Sequence, residues 1–103
     1  MATAYVIPWP TGYDTLFEVT LSTVVYSIRV RYNHVEEQFS MDIFTRNNVP
    51  LLLGVAVVSA VDLLAMMPSD QHPGGVMFIA DDVPTLENLQ SGAAQLVYID
   101  GTL

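Results

Sequence analysis

The chain is 103 residues long, enough for one domain with a modest core, and it has no cysteine, which excludes disulfide frameworks, thiolate metal sites and thiol nucleophiles. Eleven Asp and Glu stand against three basic residues, all Arg, for a formal charge of −8; specific nucleic-acid binding needs basic clusters and is not expected, whereas an acidic surface suits a basic partner or a channel wall along which DNA slides without sticking. Charged residues are 14% and hydrophobic ones 51%, against roughly 25% and 45–50% in an average soluble domain, so either a large buried sheet takes up the excess or, as is preferred, other subunits cover part of the apolar surface.

In chain order, the N-terminal residues lack a basic region and an apolar run before the prolines, so no signal peptide is expected. Ala4 to Ile7 can add an edge strand, stopped by Pro8-Trp9-Pro10. Trp9, the only tryptophan, either caps one end of the core or meets a neighbouring subunit. Thr11 to Asp14 is a turn. Leu16 to Thr45 then reads as three antiparallel strands of period two: Phe17, Val19 and Leu21 share one face, as do Val24, Tyr26, Ile28 and Val30, and then Phe39, Met41 and Ile43. Closing the first turn at Ser22-Thr23 sets Leu21 opposite Val24 and Phe17 opposite Ile28. Closing the second at His34-Val35 sets Val30 opposite Phe39 and Ile28 opposite Met41. A one-residue slip would turn a whole apolar set into water, so the agreement of faces fixes the pattern. The reverse face is polar, with Arg29 placed against Ser40, Arg31 against Gln38, and Asp42 one diagonal step from Arg29.

Arg46 to Pro50 is a polar turn whose asparagines tolerate positive φ. Leu51 to Val58 is the most apolar strand, with a bulge or a close backbone approach expected at Gly54; being apolar on both faces it should lie in the middle of a barrel or sandwich, or at an interface. Val61 to Met67 follows as a further strand or short turn. Pro50 to Met67 approaches the length of a membrane span, but Asp62 inside it would cost about 2.5–3.5 kcal/mol at a bilayer centre, so no span is expected. Pro68 to Gly75 is loop, Val76 to Ala80 a short strand ended by Asp81-Asp82. Pro84 to Leu89 reads as one or two helical turns with Gly92 just past the end. Gln95 to Ile99 closes the fold with Leu96 and Tyr98 on one face.

Few side chains are placed for chemistry. His34 at a hairpin tip has Glu36 and Glu37 nearby, and His72 has Asp70 two residues before it, yet neither has metal-site spacing. Asp81-Asp82 continues no calcium-loop pattern. Gly74-Gly75 is followed by a strand and no lysine, so it is no phosphate cradle; the glycines more plainly supply backbone freedom. Ser59 and Ser69 lack a nucleophile elbow, and Met66-Met67 is core filler or an adaptable protein surface. No catalytic, cofactor or metal residue is assigned, and no enzyme activity is expected. A ligand- or peptide-binding module using the Arg29/Arg31 face is the alternative function.

The order Val61-Asp62-Leu63-Leu64, Pro73-Gly74-Gly75, an apolar strand ending in Asp81, Pro84-Thr85-Leu86-Glu87-Asn88-Leu89 and Leu96-Val97-Tyr98 resembles the small baseplate plug proteins of contractile-tailed phages, the cyanophage type above all. Phe17 to Leu21, Tyr26 to Tyr32 and Phe39 to Ile43 look like the same family's opening strands. Trp9 between its prolines does not map onto it. The resemblance implies one mainly β plug-like domain over residues 1–103, a small antiparallel β-barrel or sandwich built on the N-terminal three-stranded meander, with one short helix near the C-terminus. It further implies a structural role in the virion, after assembly in the host cytoplasm: contact with hub and tail-tube proteins and help in closing the channel. Copies are expected to associate there, as a trimer by preference or a hexamer.

Overall fold

The computed structural model describes residues 4–59, 61–67, 70 and 72–99. Two antiparallel sheets carry the fold. Strands β2 (Asp14–Leu21), β3 (Val24–Asn33), β4 (Gln38–Thr45) and β5 (Pro50–Ala56) lie side by side in chain order, and β1 (Ala4–Ile7), β7 (Ala94–Ile99) and β6 (Val76–Asp81) form the second sheet in the order β1-β7-β6. The sheets remain separate, so the expectation of a closed barrel is corrected: both β1 and β6 are edges of one sheet, β2 and β5 edges of the other.

The inner faces follow the period of two. Tyr26, Ile28 and Val30 of β3, Phe39, Met41 and Ile43 of β4, and Met77, Ile79, Leu96 and Tyr98 of the smaller sheet are buried in one core cluster with Leu21, Leu52 and Leu89. Burying each such side chain stabilises the fold by about 1.5–3 kcal/mol before chain entropy is counted. A polar link crosses between the sheets. The Tyr98 hydroxyl donates to the Gly74 carbonyl at 2.6 Å, and the Ser22 hydroxyl in the β2–β3 turn lies 2.8 Å from the same phenol oxygen.

The first hairpin pairs as its turn dictates, Leu21 with Val24, Val19 with Tyr26 and Phe17 with Ile28. Ser22 and Thr23 both take positive φ, 48° and 73°, the geometry whose twist matches the strands. The second hairpin corrects the expected register by two residues: Val30 stands opposite Met41, Ile28 opposite Ile43 and Tyr32 opposite Phe39. The cause is Asn33. Its side-chain oxygen accepts from the Val35 and Glu36 N–H groups at 2.9 and 3.1 Å, and Glu37 adopts φ 53°, so the chain turns through four residues instead of two. A shift of two preserves every face.

β5 is an edge strand, not the mid-sheet strand its composition implies, and Leu53 on it is 65% exposed. Its pairing with β4 runs Met41 to Val55, Ile43 to Leu52 and Phe44 to Pro50. Three residues of β5 therefore span two of β4, then two span one, and Gly54 sits in the first bulge at φ 67°. Val61 to Met67 forms turns rather than a strand, with Leu63, Leu64 and Met67 plugged into the core. Asp62 explains why: its Oδ1 accepts from Leu64 N–H at 3.0 Å and from Met77 N–H at 3.1 Å, which fastens the segment along β6. The helix α1 (Leu86–Ser91) is capped by the Thr85 side chain, which accepts from Asn88 N–H, and by Gly92 at φ 90°.

Candidate protein-interaction surface

The outer face of the four-stranded sheet holds the two arginines of the sequence-based alternative. Arg29 donates from Nε and Nη2 to the two oxygens of Asp14 at 2.9 and 2.8 Å. Arg31 donates to Asp42 Oδ2 at 2.8 Å, and Asp42 Oδ1 accepts the Gly54 N–H at 2.7 Å. The expected neighbours are corrected by the register: Arg29 faces Asp42 and Arg31 faces Ser40 across the ladder, while the ion pairs run diagonally to Asp14 and Asp42. The hydrogen bonds from Arg29 hold the Asp14 carboxyl below its usual range, and those same bonds hold the guanidinium proton more tightly. With each guanidinium already matched to a carboxylate, an anionic ligand would have to displace both.

The other sequence candidates are dispersed. His34 at the hairpin tip packs edge-on against Tyr13 and Tyr32, with ring centroids 4.7 and 5.0 Å away. His72 Nδ1 accepts the Gly74 N–H at 2.9 Å and so braces its own loop. Gly74 and Gly75 take φ 89° and 77°, the backbone freedom expected of them. Asp82 accepts the Val83 N–H at 2.8 Å. Ser59 is exposed in a turn, Met66 is exposed and Met67 buried, and Ser69 lies outside the described residues. Among the described residues no three His, Asp or Glu side chains gather as a metal site. Trp9 packs edge-on against Phe39 at 5.0 Å, and its buried indole N–H has no hydrogen-bond partner among the described residues.

A surface that sequence reasoning missed lies on the outer face of the three-stranded sheet. Val6, Val97 and Phe78 stand in register across β1, β7 and β6, and Ala4, Ile99 and Val76 form the next row. No charged side chain stands in either row. Val6 is 57% and Val76 38% exposed, while Val97 between their strands is 9% exposed, so the apolar exposure lies on the two flanking strands, a feature of the kind that marks contact with other proteins. The signal was present in Val76 to Ala80 and Leu96 to Ile99, which are apolar without alternation and so apolar on both faces.

An uncharged, partly exposed sheet face is equipment for contact with other proteins. The sequence bears this out at the family level. The chain matches the family described as cyanophage baseplate Pam3 plug gp18 over residues 4–101, and it belongs to that family. Membership places it in the phage virion, in the tail baseplate, among other baseplate proteins. No curated protein matches the chain by sequence. Among the described residues no helix is long and apolar enough to cross a membrane.

Proposed function

We propose that this chain is a single sandwich-like plug domain, residues 1–103, of a contractile-tail baseplate. It sits in the hub region at the end of the tail tube, contacts hub and tube proteins, and helps to close the central channel before infection. Its role is structural and not enzymatic, and its copies take threefold order from the baseplate, with sixfold order as the second choice. The observation that carries the reading is the uncharged outer face on which Val6 and Val76 are exposed beside Phe78 and Ile99, on a family member of net charge −8. An apolar face supplies adhesion to a protein neighbour, and a charge of −8 keeps DNA from adhering to a surface beside its path.

The test is co-purification from cells expressing the chain with the hub and tail-tube proteins of the same phage. The expected result is a complex with one or both that Phe78→Lys disrupts and Arg29→Ala with Arg31→Ala leaves intact. A chain that captures neither protein refutes the reading, and capture lost only with the arginines returns the function to the ligand-binding alternative.

A further inference from the structure

We propose that the groove between the β3–β4 hairpin tip and the loop before α1 receives a basic segment of another protein, which sets Lys or Arg against Glu36 and Glu37 and an apolar side chain against the rest of the lining. The groove opens where β5 ends. Val57 donates its N–H to the Phe39 carbonyl at 3.0 Å, and past that bond the chain is no longer strand. The space has a volume of about 450 Å³ and is lined by Glu36 and Glu37 from the hairpin tip, Val57 and Val58 from the end of β5, and Val83 and Pro84 from the loop before α1.

Charge selects the occupant. Elsewhere in the fold carboxylates have donors: Asp14 holds Arg29, Asp42 holds Arg31 and the Gly54 N–H, Asp62 holds two backbone N–H groups and Asp82 the Val83 N–H. Among the described residues the Glu36 and Glu37 carboxylates form no ion pair, and no cation stands in the groove lining. An anion is repelled there, and an uncharged segment leaves the carboxylates unanswered; a cation next to an apolar side chain matches both parts of the lining. A second copy is poorly equipped to supply it. The chain has no lysine, two of its three arginines are already paired, and Arg46 follows the far end of β4. The segment therefore belongs to a different protein with a basic surface.

The carboxylates are presented on a turn that is already built. Asn33 Oδ1 holds the Val35 and Glu36 N–H groups at 2.9 and 3.1 Å, and His34 packs against Tyr13 and Tyr32, so little freedom is lost there when a partner arrives. Val35 beside Glu36 is 94% exposed and Val83 is 54% exposed, which extends the contact with apolar surface. The ionic part of such a contact lies near solvent and loosens as salt rises.

This goes beyond the baseplate reading. The test needs no baseplate protein, so its failure leaves the plug reading standing. The probe is the peptide acetyl-Lys-Val-Lys-Val-Lys-amide, titrated into the isotope-labelled full chain and followed by amide chemical shifts at low and high salt, beside acetyl-Glu-Val-Glu-Val-Glu-amide and spermidine. The expected result is saturable shifts at Glu36, Glu37, Val58 and Val83 with the basic peptide, weakened by salt and absent with the acidic one. Glu36→Lys should lower the affinity roughly threefold or more, and Val83→Ser should lower it through lost apolar contact. Glu18→Lys changes the net charge equally from an exposed position on β2 and should lower it far less. No shift at the groove, shifts from the acidic peptide, equal losses in Glu36→Lys and Glu18→Lys, undiminished binding in Val83→Ser, or equal affinity for spermidine, which brings charge without an apolar side chain, would overturn it.

Discussion

Asp42 is 3% exposed and holds two donors, the Gly54 N–H at 2.7 Å and the Arg31 guanidinium at 2.8 Å. Asp42→Ala removes the acceptor of a bulge amide and the counter-ion of Arg31 together, so it should cost about 2–4 kcal/mol in urea unfolding. Asp14→Ala breaks an exposed pair and should cost far less. The Asp14 carboxyl is held below its ordinary 3.8 by Arg29; its contribution is complete above that value and is lost as pH falls through the lowered one. At the other end of the scale, burial and then the neighbouring Tyr98 push the Tyr26 phenol above its ordinary 10.0. The unfolded chain therefore ionises first, and stability present below pH 10 should fall as pH rises through the folded value. The chain has no lysine to mask this, so Tyr26→Phe should flatten the alkaline limb of a plot of melting temperature against pH.

Two turns and one edge decide how the strands meet. Thr23 takes φ 73°, which a β-branched residue tolerates poorly. Thr23→Gly should raise stability by about 1 kcal/mol, read as a shift in the urea midpoint at constant slope. Gly54 is the converse case: nothing lies within 4 Å of an added Cβ, but φ is 67°, so Gly54→Ala should cost about 1–2 kcal/mol through strain alone. Most of this layer was legible from residues. Alternation placed β2, β3 and β4 and their faces, the proline pair stopped β1, and Gly92 marked the end of α1, whose start falls at the Thr85 cap and not at Pro84. The second hairpin's register was not, because Asn33 can extend a strand or fold back on its own backbone, and periodicity cannot separate registers two apart. Of the two places expected for β5, the middle of a sandwich fails for a related reason. Its composition reports that both faces are apolar, and an edge strand with an open outer face satisfies that as well as a central one.

At the scale of the molecule, the ion pairs and the uncharged rows lie on different sheets, although exposed Leu16 stands opposite Arg29 on the ionic one. The ionic groups of Asp14, Arg29, Arg31 and Asp42 stand on one sheet, and the apolar rows on the other. Composition announced that such a surface exists but not where, since Val6, Val76 and Val97 come from three separate stretches and become one face only through the pairing of β1 and β6 with β7. The family, by contrast, was legible in the order of short motifs from Val61 to Tyr98, which no single periodicity contains. That same pairing governs when the face appears. Ala4 lies opposite Ile99, so β1 can find its partner only after β7 has been made, a closure of high sequence separation of the kind that folds slowly. A half-made chain has no finished face to offer. The surface is timed to the arrival of β7.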